Sequence, residues 1–130
     1  MGDCEYGLLL YRDKLPKFNN NGKMVFNCFD VTKETEYDKI HPTQKPVSLL
    51  ERLIEIFTDE GDVVIDPVAG SGSSLVASEN KNRKAYGFEI KKDFYRLASK
   101  WIDNCAKKRE EIKSLGYAKT ELEKNHPILF

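Results

Sequence analysis

Apolar residues recur at Leu49, Leu50, Leu53, Ile54 and Phe57, the spacing of a helix with one buried stripe, while Glu51, Arg52 and Glu55 occupy its polar face. Pro46 stands where that helix begins and where a missing N–H is not needed. Thr58-Asp59-Glu60-Gly61 closes it. The apolar run Val63-Val64-Ile65 then predicts a strand buried on both faces, ending at Asp66 and Pro67. A turn of small residues follows, and Ser73 or Ser74 is placed to cap a helix through Leu75, Val76 and Ala77. Lys84–Glu89 predicts a second strand. From about Lys92 to Leu115 the pattern predicts a long helix with Phe94, Leu97, Ala98, Trp101, Ile102 and Cys105 on one side and Gly116 as its stop. Upstream, Tyr6–Tyr11 is apolar on both faces and predicts a covered strand, which Pro16 keeps from continuing, and Met24–Phe29 predicts another. Between them Asn19-Asn20-Asn21-Gly22 forms a turn. Asp30–Lys39 reads as a polar loop, and Tyr117–Phe130 as a tail with a charged start and an apolar end.

The unit from Val63 to Glu89 is a β-α-β with a carboxylate at the end of each strand. Glu89 lies 23 residues after Asp66, close to the ~20-residue spacing at which an acidic residue accepts ribose hydroxyls in a mononucleotide-binding unit. Gly70 and Gly72 let the backbone approach a ligand closely. Ser73 after Gly72 rules out the Gly-Lys-Ser/Thr ending of a phosphate loop, and Leu75 rules out a Gly-x-Gly-x-x-Gly fingerprint. Two carboxylates suit a ligand presenting amine and hydroxyl donors better than one presenting phosphates. A carboxylate at the end of a buried strand is costly unless paired, which favours a ligand role for Asp66 and Glu89.

Charge narrows the partners. Lysine plus arginine number 21 and acids 21, so there is no bulk electrostatic footprint for nucleic acid, and any DNA contact must be local or come through a partner. Lys81, Arg83, Lys84, Lys91 and Lys92 read as a solvated surface, and Lys107-Lys108-Arg109 as complements of a helix dipole. Cys4, Cys28 and Cys105 are too widely spaced for a zinc site or a disulfide framework and read as packed, reduced thiols. No run is long enough for a membrane span and no leader layout is visible, so a cytoplasmic protein is expected. His41 reads as a loop-ordering residue, His126 as solvated, and Phe88 as core.

Three stretches taken together carry a family likeness: His41-Pro42-Thr43-Gln44-Lys45-Pro46, then Asp66-Pro67-Val68-Ala69-Gly70-Ser71-Gly72-Ser73, then Tyr86-Gly87-Phe88-Glu89-Ile90. In that order they resemble the β group of the amino-directed DNA methyltransferases, which move a methyl group from S-adenosylmethionine to adenine N6 or cytosine N4. The resemblance implies an α/β, Rossmann-like, S-adenosylmethionine-dependent methyltransferase fold with an incomplete sheet, over a partial domain at residues 1–116 followed by a tail at 117–130. It implies cofactor contacts from Asp66, Pro67, Val68, Ala69, Gly70, Ser71, Gly72 and Ser73, with Glu89 on the ribose and Thr43, Gln44 and Lys45 near the methionine carboxylate. Val68 stands where the family usually has phenylalanine, which implies weaker cofactor binding. The family's Asp/Asn/Ser-Pro-Pro-Tyr/Phe/Trp motif, which holds the target amine of a flipped base, is absent, since no Pro-Pro pair occurs in the sequence. The chain therefore looks like the C-terminal, cofactor-binding part of such an enzyme, with no catalytic residue of its own and no metal. DNA would be met through the complete enzyme, with a second chain carrying the catalytic half or a homodimer covering the open edge of the strand at Val63. An inactive binding module or truncated relic is the other reading.

Overall fold

Helix α1 spans Val47–Phe57, strand β1 Val63–Asp66, helix α2 Ser73–Asn80, strand β2 Lys84–Gly87 and helix α3 Lys92–Asn125. This computed structural model describes residues 5–14, 17–31, 37 and 39–125, with side chains through residue 115. The expected β-α-β is present: β1 and β2 pair in parallel, Val63 opposite Lys84 and Asp66 opposite Gly87, with α2 as the crossover. Gly87 is where α2 presses closest on the sheet. A Cβ there would stand 2.7 Å from Leu75 Cδ1 and 3.0 Å from the Ala69 Cβ.

The core lies among the helices rather than around the sheet. Val47, Ile54, Val76, Ala77 and Trp101 form it, with Tyr37, Ile40, Leu50, Ile102 and Cys105 packed against it. Only part of the stripe predicted for α1 is fully buried. Ile54 is, together with Val47 and Ile56, which lie outside the predicted set. The C-terminal carbonyls of α1, which a helix leaves without partners, are met from three directions. The Asn19 N–H donates to the Ile56 carbonyl (2.7 Å), and the Asn19 side-chain amide donates to the Thr58 carbonyl (2.9 Å). The Thr58 hydroxyl donates to the Ile54 carbonyl (2.6 Å). Arg83, buried, donates through Nε to the Thr58 hydroxyl (2.9 Å) and through Nη2 to the Thr58 carbonyl (2.6 Å).

Several sequence expectations are corrected. Tyr6–Tyr11 and Met24–Phe29 are not strands, and Tyr6, Leu8, Leu10 and Met24 are each at least 80% exposed. β-branched and aromatic residues extend only where a neighbouring strand pairs with them, and none does here among the described residues. The turn at Asn19–Gly22 is found, with Asn21 and Gly22 at positive φ and the Lys23 N–H on the Asn20 carbonyl. β1 is not buried on both faces: Val63 and Ile65 are 52% and 63% exposed, and Phe88, read as core, is 63% exposed. β2 ends at Gly87 rather than Glu89. Neither Ser73 nor Ser74 caps α2, whose N-cap is Gly72. α3 runs past Gly116 to Asn125, so Lys107, Lys108 and Arg109 do not sit at its end. Arg109 instead bridges Glu79 and Asn80 on α2. Cys28 is exposed rather than packed. Cys4, Pro16, most of the loop after Asp30, His126 and the apolar end of the tail lie outside the described residues.

Candidate functional site

The turn between β1 and α2 is built on the two predicted carboxylates. Asp66 Oδ1 accepts the Val68 N–H (3.0 Å), and its Oδ2 accepts the Ser74 hydroxyl. The end of the strand and the first turn of the helix are thereby tied to one side chain. Glu89 Oε2 accepts the Gly70 N–H (3.0 Å) and Oε1 accepts the Lys91 N–H (2.8 Å), so it clamps the tip of the turn to the start of α3. The Ala69 N–H continues onto the Phe88 carbonyl (2.9 Å). Thus the electrostatic need of each carboxylate is met first by the protein. One lone pair of each oxygen remains for a hydroxyl or amine donor.

The two glycines do different work. Gly70 adopts φ +55°, and a Cβ there would lie 3.9 Å from the His41 ring, in ordinary contact. Gly72 adopts φ +81°, and a Cβ there would fall 2.8 Å from Ile102 Cδ1. Gly72 thus lets α3 close on the turn, whereas Gly70 faces the cleft.

That cleft encloses about 460 Å³. Of the residues singled out from the sequence, Thr43, Lys45, Asp66, Val68, Ala69, Gly70, Ser71, Ser73 and Glu89 line it. Gln44, Pro67 and Gly72 do not. Gln44 Oε1 accepts the Ile40 N–H (2.9 Å), and the Gln44 N–H donates to the His41 carbonyl (3.1 Å), so Gln44 shapes the turn. The Lys45 ammonium is held by the Glu5 carboxylate (2.6 Å to Oε1). His41, Leu50, Ser74, Ile90, Lys91 and Phe94 also line the cleft, beyond the predicted set. Phe94 sits in the first turn of α3, and its ring meets His41 edge-on, with centroids 4.3 Å apart. Its place just after Glu89, in the helix stripe, was the available signal. The outcome is a cleft with carboxylate acceptors at the strand ends, cationic and hydroxyl donors on the Pro-bounded turn, and apolar surface between them.

The sequence profile of the N6/N4 class described as "DNA methylase" matches residues 10–100. The chain is 36% identical over 96 residues to the type II methyltransferase M2.DpnII of Streptococcus pneumoniae, covering 72% of this chain and 36% of that one. It is 34% identical over 100 residues to the DNA adenine methyltransferase YhdJ of Escherichia coli K12, covering 74% and 34%. It therefore spans about a third of the length of these relatives. Among solved structures, the M1.HpyAVI–SAM complex superposes with a TM-score of 0.58 at 33% identity, covering 66% of this chain and 43% of that one.

Proposed function

The chain belongs to the N6/N4 DNA methylase family, and from that premise we propose that its cleft binds S-adenosylmethionine as the cofactor part of a DNA methyltransferase. The observation that carries this reading is the pair of half-buried carboxylates, Asp66 and Glu89, holding the Gly70 turn open toward a cleft whose other side is the His41–Lys45 turn. The residues fit the cofactor in kind. Glu89 retains acceptor capacity for ribose hydroxyls, and Asp66 for an amine. Thr43 and Lys45 supply a hydroxyl and an ammonium for the methionine carboxylate. Leu50, Val68, Ala69 and Phe94 give apolar contact to a planar base. When bound, the cofactor supplies an electrophilic methyl group on sulfur. The chain's own residues bind and orient it.

The methyl acceptor is the exocyclic amine of adenine or cytosine in DNA. No Pro-Pro pair lies in these 130 residues, so the groups that hold the flipped base lie outside them; the partner we propose is a second chain carrying the catalytic half or a second copy of this one. The bare sheet supports this. Val63, Ile65, Tyr86 and Phe88 share one exposed face, and β1 has no second neighbour among the described residues. An open apolar edge and face of this kind invites a covering partner. The second reading is a module or truncated relic that binds cofactor without turnover, and DNA methylation by the pure chain would refute both readings.

Titration calorimetry tests the binding claim. S-adenosylmethionine and S-adenosylhomocysteine are expected to bind the wild type, with Asp66→Ala and Glu89→Ala each abolishing binding. A folded wild type that binds neither compound would contradict the assignment.

A further inference from the structure

Residues 5–11 belong neither to the two-stranded sheet nor to the core, and Tyr6, Leu8 and Leu10 are each at least 80% exposed. At the head of this stretch the Glu5 carboxylate reaches 40 residues along the chain to the Lys45 ammonium, which lies 2.6 Å from its Oε1. Lys45 lines the cleft and Glu5 does not, so the ammonium is held from outside the ligand space. Both side chains keep contact with water, Lys45 at 47% exposure and Glu5 at 71%. A pair this open is readily exchanged, because exposed ion pairs contribute little to stability. The other lysine of the cleft, Lys91, has its ammonium 5.3 Å from the centre of the Phe94 ring, and the two cations face the carboxylates of Asp66 and Glu89. While Glu5 neutralises Lys45, an anionic group entering the cleft meets an excess of negative charge.

We propose that Glu5 is a tethered competitor for Lys45: a ligand carrying a carboxylate binds the cleft by displacing the Glu5 carboxylate, which releases residues 5–11. The inference rests on the S-adenosylmethionine reading above and adds a brake to it. The exchange puts one carboxylate in place of another on the same ammonium, so no charge is left unpaired in the cleft. A competitor carried on the chain acts at the effective concentration its tether sets, yet its hold is only that of an exposed pair. By linkage, whatever draws residues 5–11 away from the cleft strengthens ligand binding by the same factor that the ligand weakens their hold.

The test is a double-mutant cycle: titration calorimetry of S-adenosylhomocysteine into wild type, Glu5→Gln, Lys45→Met and the double variant. Glu5→Gln is expected to bind about two- to five-fold more tightly than wild type, the factor set by one exposed ion pair. Lys45→Met should bind more weakly, and the double variant should match it, since Glu5 acts only through Lys45. In the wild type the backbone amides of Gly7, Leu8 and Leu9 should shift saturably with the ligand, and in Glu5→Gln they should stay still. An unchanged or weaker Glu5→Gln, a gain that persists without Lys45, or a Lys45→Met that binds like wild type would each overturn the proposal while leaving the cofactor reading intact. Wild-type amides at Gly7–Leu9 that do not respond to bound ligand would do the same, whatever the variants show. A folded wild type that binds no S-adenosylhomocysteine would remove the cofactor reading and this one with it.

Discussion

Glu89 accepts two main-chain N–H groups through different oxygens, and that makes it structural before it is functional. An amide at this position offers one acceptor and turns an NH₂ against the other N–H. Glu89→Gln is expected to lower stability by about 1–3 kcal/mol, the cost of an unsatisfied group, and to abolish cofactor binding; urea denaturation with calorimetry checks both, and a stable, binding variant would contradict the clamp. Gly72→Ala tests packing instead. Its Cβ would meet Ile102 Cδ1 at 2.8 Å on a backbone at φ +81°, and an expected destabilisation of about 1–3 kcal/mol follows from strain and overpacking. Val68 is 79% exposed at the rim of the cleft. Val68→Phe adds aromatic area there without crowding, and S-adenosylmethionine should bind the variant a few-fold more tightly, as the larger apolar contact predicts.

At the level of elements, α1, β1, α2 and β2 were legible because each is signalled locally, by a 3.6-residue stripe, a β-branched run or a glycine turn. Asp66 and Glu89 were singled out by the same local signals; Asp66 does end β1, whereas Glu89 lies two residues past the end of β2. What was not legible depends on neighbours. Tyr6–Tyr11 has the composition of a covered strand but no strand beside it, and composition cannot report that. Gly116 did not stop α3, because a single interior glycine costs only ~1 kcal/mol against the helix formers around it. Lys81 and Arg83 looked like a solvated cluster, yet Lys81 finds its partners on α1 and Arg83 on Thr58 just past its end, far away in sequence. Lys81 lies 2.7 Å from Glu55 and 3.7 Å from Glu51. The hydrogen bond to Glu55, aided by the charges of both carboxylates and opposed by burial, raises the Lys81 pKa above its ordinary 10.5. A raised folded pKa means that the ion pair's contribution is complete below the unfolded value and is lost as pH climbs through the folded one. Urea denaturation between about pH 9 and pH 12 should show a decline in stability that Lys81→Met flattens. A wild type and variant with parallel pH profiles would show that the pair joining α1 to α2 contributes nothing.

On the scale of the whole molecule, three helices share a core while one sheet face stays bare. Ile65 and Phe88 on that face are each 63% exposed, so replacing them by lysine removes no core contact. The chain alone should self-associate with rising concentration in sedimentation experiments, and Ile65→Lys with Phe88→Lys should make it monomeric with an unchanged thermal midpoint. A wild type that stays monomeric at high concentration would count against a homodimer through that face. No helix among the described residues is long and apolar enough to cross a membrane. The central claim is that the cleft between the Gly70 turn and the His41–Lys45 turn holds S-adenosylmethionine. The most direct measurement is a backbone amide map of the folded chain titrated with S-adenosylhomocysteine. The expected result is saturable shifts at Val68, Ala69, Gly70 and Lys91 and at Thr43, with Lys81 and Arg83 at the far end of α2 unmoved. Saturable shifts confined to other surfaces, or none at all, would contradict it.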